Sequence, residues 1–461
     1  MIGGFAWRCT ALACMMGALA GLASPDTARA GSYKVFQCSP WPVGAGNPGP
    51  DPYVDDAEVG SGDFSLTNSC NSAIGVHNTG RASQGQDGRW TWYAPPGTAI
   101  THASVLEDLR NAHGYSARIF TTGTDLLIAD ANIGWQGRGF SLGSGGSSFG
   151  VRLVCAVGSC NSNGSTAARA YIRDIALTVR DSSNPTPRIG GELVSSAPST
   201  GGWHRGSRSL SYDASDRGGG VASYGVTVNG RGAGTGVGAC QLTTTGYGKL
   251  MQPCSPEPWG RAANGNTRDA SVGWRNGTNT VQACASDFGG GGSANRACVA
   301  RQVKVDNEVP DPAFRNSQSP ADPELIRAPV DENYSGVEAG KIAYQREGTG
   351  EWHELPTVHQ GGELRARVDS EAVPPGRYQF KAWAEDDAGN RSAEVGAREN
   401  GQPMTVRFPL RADTQLRAGI GKGALKRTVK YGRSPQVRGR LVSADRDPLP
   451  LQTVKVHEDY A

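Results

Sequence analysis

Flat aromatic rings are the residues of this chain with the most direct chemical use. Trp41, Trp90, Trp92, Tyr93 and Trp135 fall within its first 135 residues, and such rings stack on the apolar faces of pyranose sugars. Trp90 and Trp92 are two apart, so on a strand they share one face and Tyr93 takes the other. A core would use the same rings for their buried area alone. Glycan stacking at Trp41, Trp90, Trp92 and Trp135 and ordinary core packing are therefore both open. A second group is acidic: Asp51, Asp55, Asp56, Glu58 and Asp63 crowd one Gly/Pro-rich stretch. Hard oxygen ligands suit Ca²⁺, which makes Asp51, Asp55 and Asp56 metal candidates. No D-x-D-x-D-G loop accompanies them, and a solvated acidic loop explains them without an ion.

Catalytic motifs are approached but not met. His353, Glu354 and His359 lack the H-E-x-x-H spacing that puts two imidazoles on one helical face, and Pro356 would break the helix. A hairpin between strands is the reading there. Glycoside hydrolysis needs two carboxyl groups facing each other across a cleft, whereas Glu107 and Asp108 are adjacent and would face opposite sides of a strand. The run from Ser83 to Trp90 mimics a sialidase Asp box, but Asp87 is two places out of register. The Gly/Ser stretches at Gly60 and Gly143 offer neither a nucleophile elbow nor a phosphate loop. The sequence predicts no catalytic residue, no cofactor and no metal beyond those weak calcium candidates.

Composition says what holds these residues. Of 461 residues, 65 are Gly and 27 Pro, with 37% hydrophobic and 7% aromatic. Gly and Pro break helices, so an all-β chain with generous turns is expected, in roughly two to four domains. A net charge of +3 is too small to argue for nucleic acid. Residues 1–30 read as a secretory signal peptide: Arg8, an apolar run from Thr10 to Ala23, and Ala28-Arg29-Ala30. That run is shorter than the ~20 residues that span a bilayer, and nothing after Gly31 approaches such a length. A secreted or cell-surface location without a transmembrane anchor follows. Eight cysteines remain: Cys38, Cys70, Cys155, Cys160, Cys240, Cys254, Cys284 and Cys298. An even number in an exported chain predicts disulfides. The close pairs 155/160, 240/254 and 284/298 predict sequential bridges, with Cys38–Cys70 by elimination.

Two stretches repeat. Leu210 to Val221 matches Ile326 to Val337, and Thr280 to Asp287 matches Tyr378 to Asn390. Asp216 and Asp331 are 115 apart, Asp287 and Asp387 are 100 apart, and the difference of 15 equals the span Cys240 to Cys254. The first unit is thus expected to carry an insertion closed by that bridge. It has Gly-Gly-Gly-Gly-Ser at 289–293 where the second has Ala388-Gly389-Asn390, which predicts a kept turn and a lost Asn390 contact. Asp181 to Pro187 and Asp306 to Pro312 read as semi-rigid, Pro-punctuated linkers.

These motifs, from about 185 to 410, resemble the bacterial Ig-like repeats of secreted actinobacterial-type proteins. The segment Gly88 to Ile100 resembles the entry strand of a jelly-roll or concanavalin-like sandwich. Thr428 to Val442, with 11 Lys/Arg against 5 Asp/Glu after residue 408, resembles the start of a prealbumin-like module of the carboxypeptidase-regulatory class. The resemblances imply tandem β-sandwiches: a signal at 1–30, a jelly-roll-like module at 31–182, Ig-like domains at 188–306 and 313–408, and a partial prealbumin-like module at 409–461 that reads as the start of a fragmentary domain. The expected role is a non-catalytic exported surface protein that spaces and presents its N-terminal module, with cell-wall or extracellular glycan as partner. The alternative is a glycan hydrolase or other secreted enzyme whose catalytic unit is 31–182 or lies beyond Ala461.

Overall fold

The computed structural model describes residues 31–39, 51–58, 63–130, 132–161, 167–195, 202–320, 322–409, 414–420, 432 and 436–443. Residues 1–30, read above as a signal peptide, Trp41 and the Thr453–His457 stretch lie outside them. The chain is all-β, a succession of two-sheet sandwiches.

In the first sandwich, the strands Gln136–Gly146, Thr98–Arg110, Arg169–Asp181, Ala73–Asn78 and Phe64–Ser69 lie side by side, and Gly31–Gln37 also pairs with Arg169–Asp181. Facing them are Val54–Glu58, Asp87–Tyr93, Ser148–Cys155, Tyr115–Thr121 and Thr124–Ile128. Alternation sends Trp90, Trp92, Ile100, Ile119, Phe149, Leu153, Ile172 and Leu177 inward, where all are buried. Glu107 and Asp108 do sit on a strand, and both are buried. Arg138 neutralises Glu107, while Arg110 and Arg169 neutralise Asp108.

The second sandwich sets Thr186–Gly190, Ser211–Ser215 and Arg261–Ala262 against a sheet of Trp203–His204, Arg296–Val305, Gly277–Asp287, Val221–Val228 and Arg231–Val237. The third sets Asp311–Pro312, Leu325–Asp331, Glu363–Arg367 and Thr357–Gln360 against His353–Leu355, Val337–Arg346, Gly376–Asp386 and Thr405–Phe408. His353 and His359 therefore belong to different sheets. Ile342, Tyr378 and Phe380 fill the third core, with Phe314 and Phe408. Trp383 points outward, one place out of phase with inward Ala382 and Ala384, and lies under Arg391 at 3.5 Å. Beyond these, Thr414–Ile420 pairs antiparallel with Val437–Ser443.

Four disulfides form: Cys38–Cys70, Cys155–Cys160, Cys240–Cys254 and Cys284–Cys298. Cys284 and Cys298 are direct cross-strand partners. The segment between Cys240 and Cys254, expected to be an insertion, is not a free loop. It lies along Gly31–Gln37, where Phe36 N–H donates to Gly248 O and Gly248 N–H to Lys34 O, each at 2.9 Å. Ser32 and Lys34 N–H donate to Ser293 and Gly290 O, also at 2.9 Å. Met251, Cys254 and Phe288 thereby join the core of the first sandwich. An exposed edge strand is a template for unwanted pairing, and this one is covered from the neighbouring module.

No cystine lies between residues 313 and 408. Closing a 15-residue loop is worth about 3 kcal/mol in the chain-entropy model. Reduction should therefore lower the melting temperature of the first two sandwiches and leave the third unchanged in differential scanning calorimetry of the mature chain. Equal loss in all three would overturn this.

Candidate functional site

Each of the first two sandwiches hands over to the next through a buried carboxylate at the end of its last strand. Asp181 closes Arg169–Asp181, Asp306 follows Arg296–Val305, and both are fully buried. They are used alike. Asp181 Oδ1 accepts from Ser183 N–H at 2.8 Å, and Oδ2 accepts from Gly219 N–H at 2.6 Å. Asp306 Oδ1 accepts from Glu308 N–H at 3.0 Å, and Oδ2 accepts from Ser335 N–H at 3.1 Å and Ser335 Oγ–H at 2.6 Å.

Two more carboxylates meet each of them. Asp216 Oδ2 accepts from the N–H groups of Gly218 and Gly220 at 3.1 and 2.9 Å. Glu332 Oε1 does the same for Tyr334 and Ser335 at 2.8 and 3.2 Å. Asp287 and Asp386 end the central strands, opposite Val221 and Val337 respectively. In each trio one oxygen per residue lies within 4.8 Å of the others.

An asparagine ties each trio to the preceding module. Asn390 N–H and Nδ2–H donate to Asp386 at 2.7 and 2.8 Å, and Nδ2–H also donates to Asp306 O at 3.1 Å. Asn295 repeats this on Asp287 at 2.6 and 2.6 Å and on Asp181 O at 3.2 Å. The expected loss of the asparagine contact in the first repeat is therefore corrected. The loop there is longer, so the amide arrives eight residues after its carboxylate instead of four. The matched acids are corrected too: Glu332 and Asp386, not Asp331 and Asp387, take the places of Asp216 and Asp287. The sequence signal was the spacing to Val221 and Val337, which is five residues from both Asp216 and Glu332.

The first trio is electrostatically unusual. Burial, then the charge of Asp181, pushes the Asp216 carboxyl up to about 6. Burial pushes Asp287 up to about 7, and the charges of Asp181 and Asp216 add to it. Burial also raises Asp181, Asp386 and Glu332. Among the described residues no Lys or Arg forms an ion pair with any of the six.

The residues singled out from sequence do not gather here. Trp92 is fully buried, with Nε1–H donating to Gln37 Oε1 at 2.5 Å, and Trp90 is buried with Nε1–H donating to Gly75 O at 3.0 Å. Neither ring offers a face to a sugar. Trp135 is half-buried beneath the Arg173 guanidinium at 4.4 Å, and Trp41 lies outside the described residues. Asp51 is buried between the first two sandwiches, accepting from Met251 N–H at 2.7 Å and Tyr53 N–H at 3.0 Å. Asp55 and Asp56 are exposed neighbours on the strand Val54–Glu58, where adjacent side chains diverge. These calcium candidates therefore do not converge, and the acids that do were read only as repeat landmarks and linker residues.

No protein-family model matches the sequence, and no curated protein matches it. The chain is similar in structure to the glycoside hydrolase domain of Endo-D from Streptococcus pneumoniae R6, at 13% identity and a TM-score of 0.17, covering 54% of this chain and 36% of that one. It is similar to a tetra-tandem repeat in the extending region of a large adhesion protein, at 12% identity and a TM-score of 0.23, covering 78% and 77%. It is also similar to the chicken CNTN1 FN1-FN3 domains, at 13% identity and a TM-score of 0.18, covering 71% and 95%.

Proposed function

We propose that this is an exported, non-catalytic surface protein whose tandem sandwiches hold the N-terminal module at a set distance and angle for presentation. The observation that carries the reading is the repeated junction, in which linker, loop and strand end are hydrogen-bonded into one buried knot. A chain of independent binders would need only tethers, whereas a spacer needs stiff joints. Four disulfides support folding in an oxidising compartment. No helix among the described residues is long and apolar enough to cross a membrane. The burial of Trp90 and Trp92 leaves any glycan ligand to surfaces other than theirs.

Small-angle scattering of the mature chain should fit a single arrangement of the first two sandwiches. Asn295→Ala, which unties Asp287 from Asp181, should broaden that arrangement. A freely hinged wild-type joint, or turnover of a glycan by the mature chain, would overturn the reading.

A further inference from the structure

Several buried carboxylates in this molecule are met by guanidinium groups. Asp108 has Arg110 and Arg169, Glu107 has Arg138, and Glu363 has Arg315 and Arg365. At the first junction Asp181, Asp216 and Asp287 are at most 3% exposed and have no such partner among the described residues. Backbone and amide donors satisfy part of each group, yet Asp216 Oδ1 is buried with no hydrogen bond of ordinary geometry. An orphaned acceptor on a buried carboxylate is costly unless a cation completes it.

We propose that Asp181, Asp216 and Asp287 form a Ca²⁺ site that fastens the first module to the second. Calcium takes carboxylate oxygens at 2.3–2.6 Å, so ligands of one ion lie up to about 5 Å apart, as these do. Magnesium parts reluctantly with its water, which disfavours it among carboxylates this buried. A groove of about 490 Å³, lined by Ser183, Arg188, Ser215, Asp216, Arg217 and Glu257, leads to Asp216 from solvent. Of its two cations, Arg188 is engaged by Asp213 at 3.6 Å, and Arg217 pairs with none of the trio. Gly218 keeps the site open: a Cβ there would sit 2.0 Å from Asp181 Oδ2. The ligands come from the last strand of one module and from a loop and strand end of the next, so the ion bridges the joint.

The second junction is left out of the proposal. Glu332 is half-buried there, and the orphaned atom is Asn390 Oδ1. Its counterpart, Asn295 Oδ1, faces Gly31 N–H at 2.9 Å instead of the carboxylates.

The test is calorimetric titration of the chelator-treated mature chain with CaCl2 and with MgCl2. Saturable calcium binding is expected, at least about tenfold tighter than magnesium and in the affinity range of extracellular modules, roughly 0.1–1 mM. Asp216→Asn keeps an acceptor for Gly218 and Gly220 and should weaken binding by about tenfold or more. No saturable binding up to about 10 mM calcium, no preference for calcium over magnesium, or unchanged affinity in Asp216→Asn overturns the site. Should that variant fail to fold, the preference of the wild type for calcium over magnesium still decides. The purpose of the ion rests on the spacer reading. Absent binding removes the site and leaves the spacer, and a hinged joint at saturating calcium removes the spacer and leaves the site.

Discussion

Trp92→Ala should strongly destabilise the first sandwich. The indole is fully buried, packs against Phe149 at 6.4 Å between ring centroids, and donates to Gln37. Gln37 in turn donates to Lys249 O at 3.1 Å, so the loss reaches the insertion that covers Gly31–Gln37. Truncating a buried Trp costs about 3–5 kcal/mol, a large share of a domain's typical stability of roughly 5–15 kcal/mol. Tyr93→Ala removes a neighbouring ring that is 41% exposed and should change stability by under about 0.5 kcal/mol. Urea titrations of the two variants check this. A Trp92→Ala chain that melts like wild type would falsify the assignment of this ring to the core.

In chelator, stability should fall as pH rises from about 4 to about 7. Burial raises the Asp216 and Asp287 carboxyl groups in the folded chain, to about 6 and about 7 from 3.8. Between the unfolded and folded values the folded state holds more protons, so each step up in pH favours unfolding. Above about 7 the whole penalty is present. A full pKa unit is worth about 1.4 kcal/mol, and water in the adjoining groove screens the charges, so a total on the order of 2 kcal/mol is expected. Other groups face this cluster. Tyr33 is held neutral well above its ordinary range by burial, Asp181 is itself raised, and Arg217 and Glu257 line the groove. His77 and His204, lowered by burial, act in the opposite sense near their own titration. The double variant Asp216→Asn, Asp287→Asn subtracts those contributions and should flatten the curve. With calcium bound the slope should reverse, because only the ionised ligands hold the metal. A flat or rising wild-type curve in chelator would rule out the buried cluster.

How much of this was legible in the residues differs from element to element. The cystines were legible because short spacings leave few workable partners, and the repeat was legible because Val221 and Val337 sit alike in both units. The strands Thr98–Arg110 and Gln136–Gly146 were not picked out. The first mixes charged and apolar residues, and its buried Glu107 and Asp108 make sense only beside Arg138 and Arg169, distant in sequence. Trp383 is an aromatic in a strand, which by itself suggests core, yet the alternation through Ala382 and Ala384 assigns it outward. The junction trios were hidden for a related reason. Asp181, Asp216 and Asp287 span more than a hundred residues, and no local spacing announces a convergence that the topology alone creates.

The covering of Gly31–Gln37 has a consequence for how the protein comes into being. Gly31 is synthesised 264 residues before Asn295, whose amide receives its N–H. Until that later stretch arrives, the nascent first sandwich presents a bare flank, with Met251 and Phe288 missing from its interior. Its maturation is therefore completed from downstream, and a chain cut short before residue 240 leaves a sticky fragment in need of a chaperone instead of a finished domain.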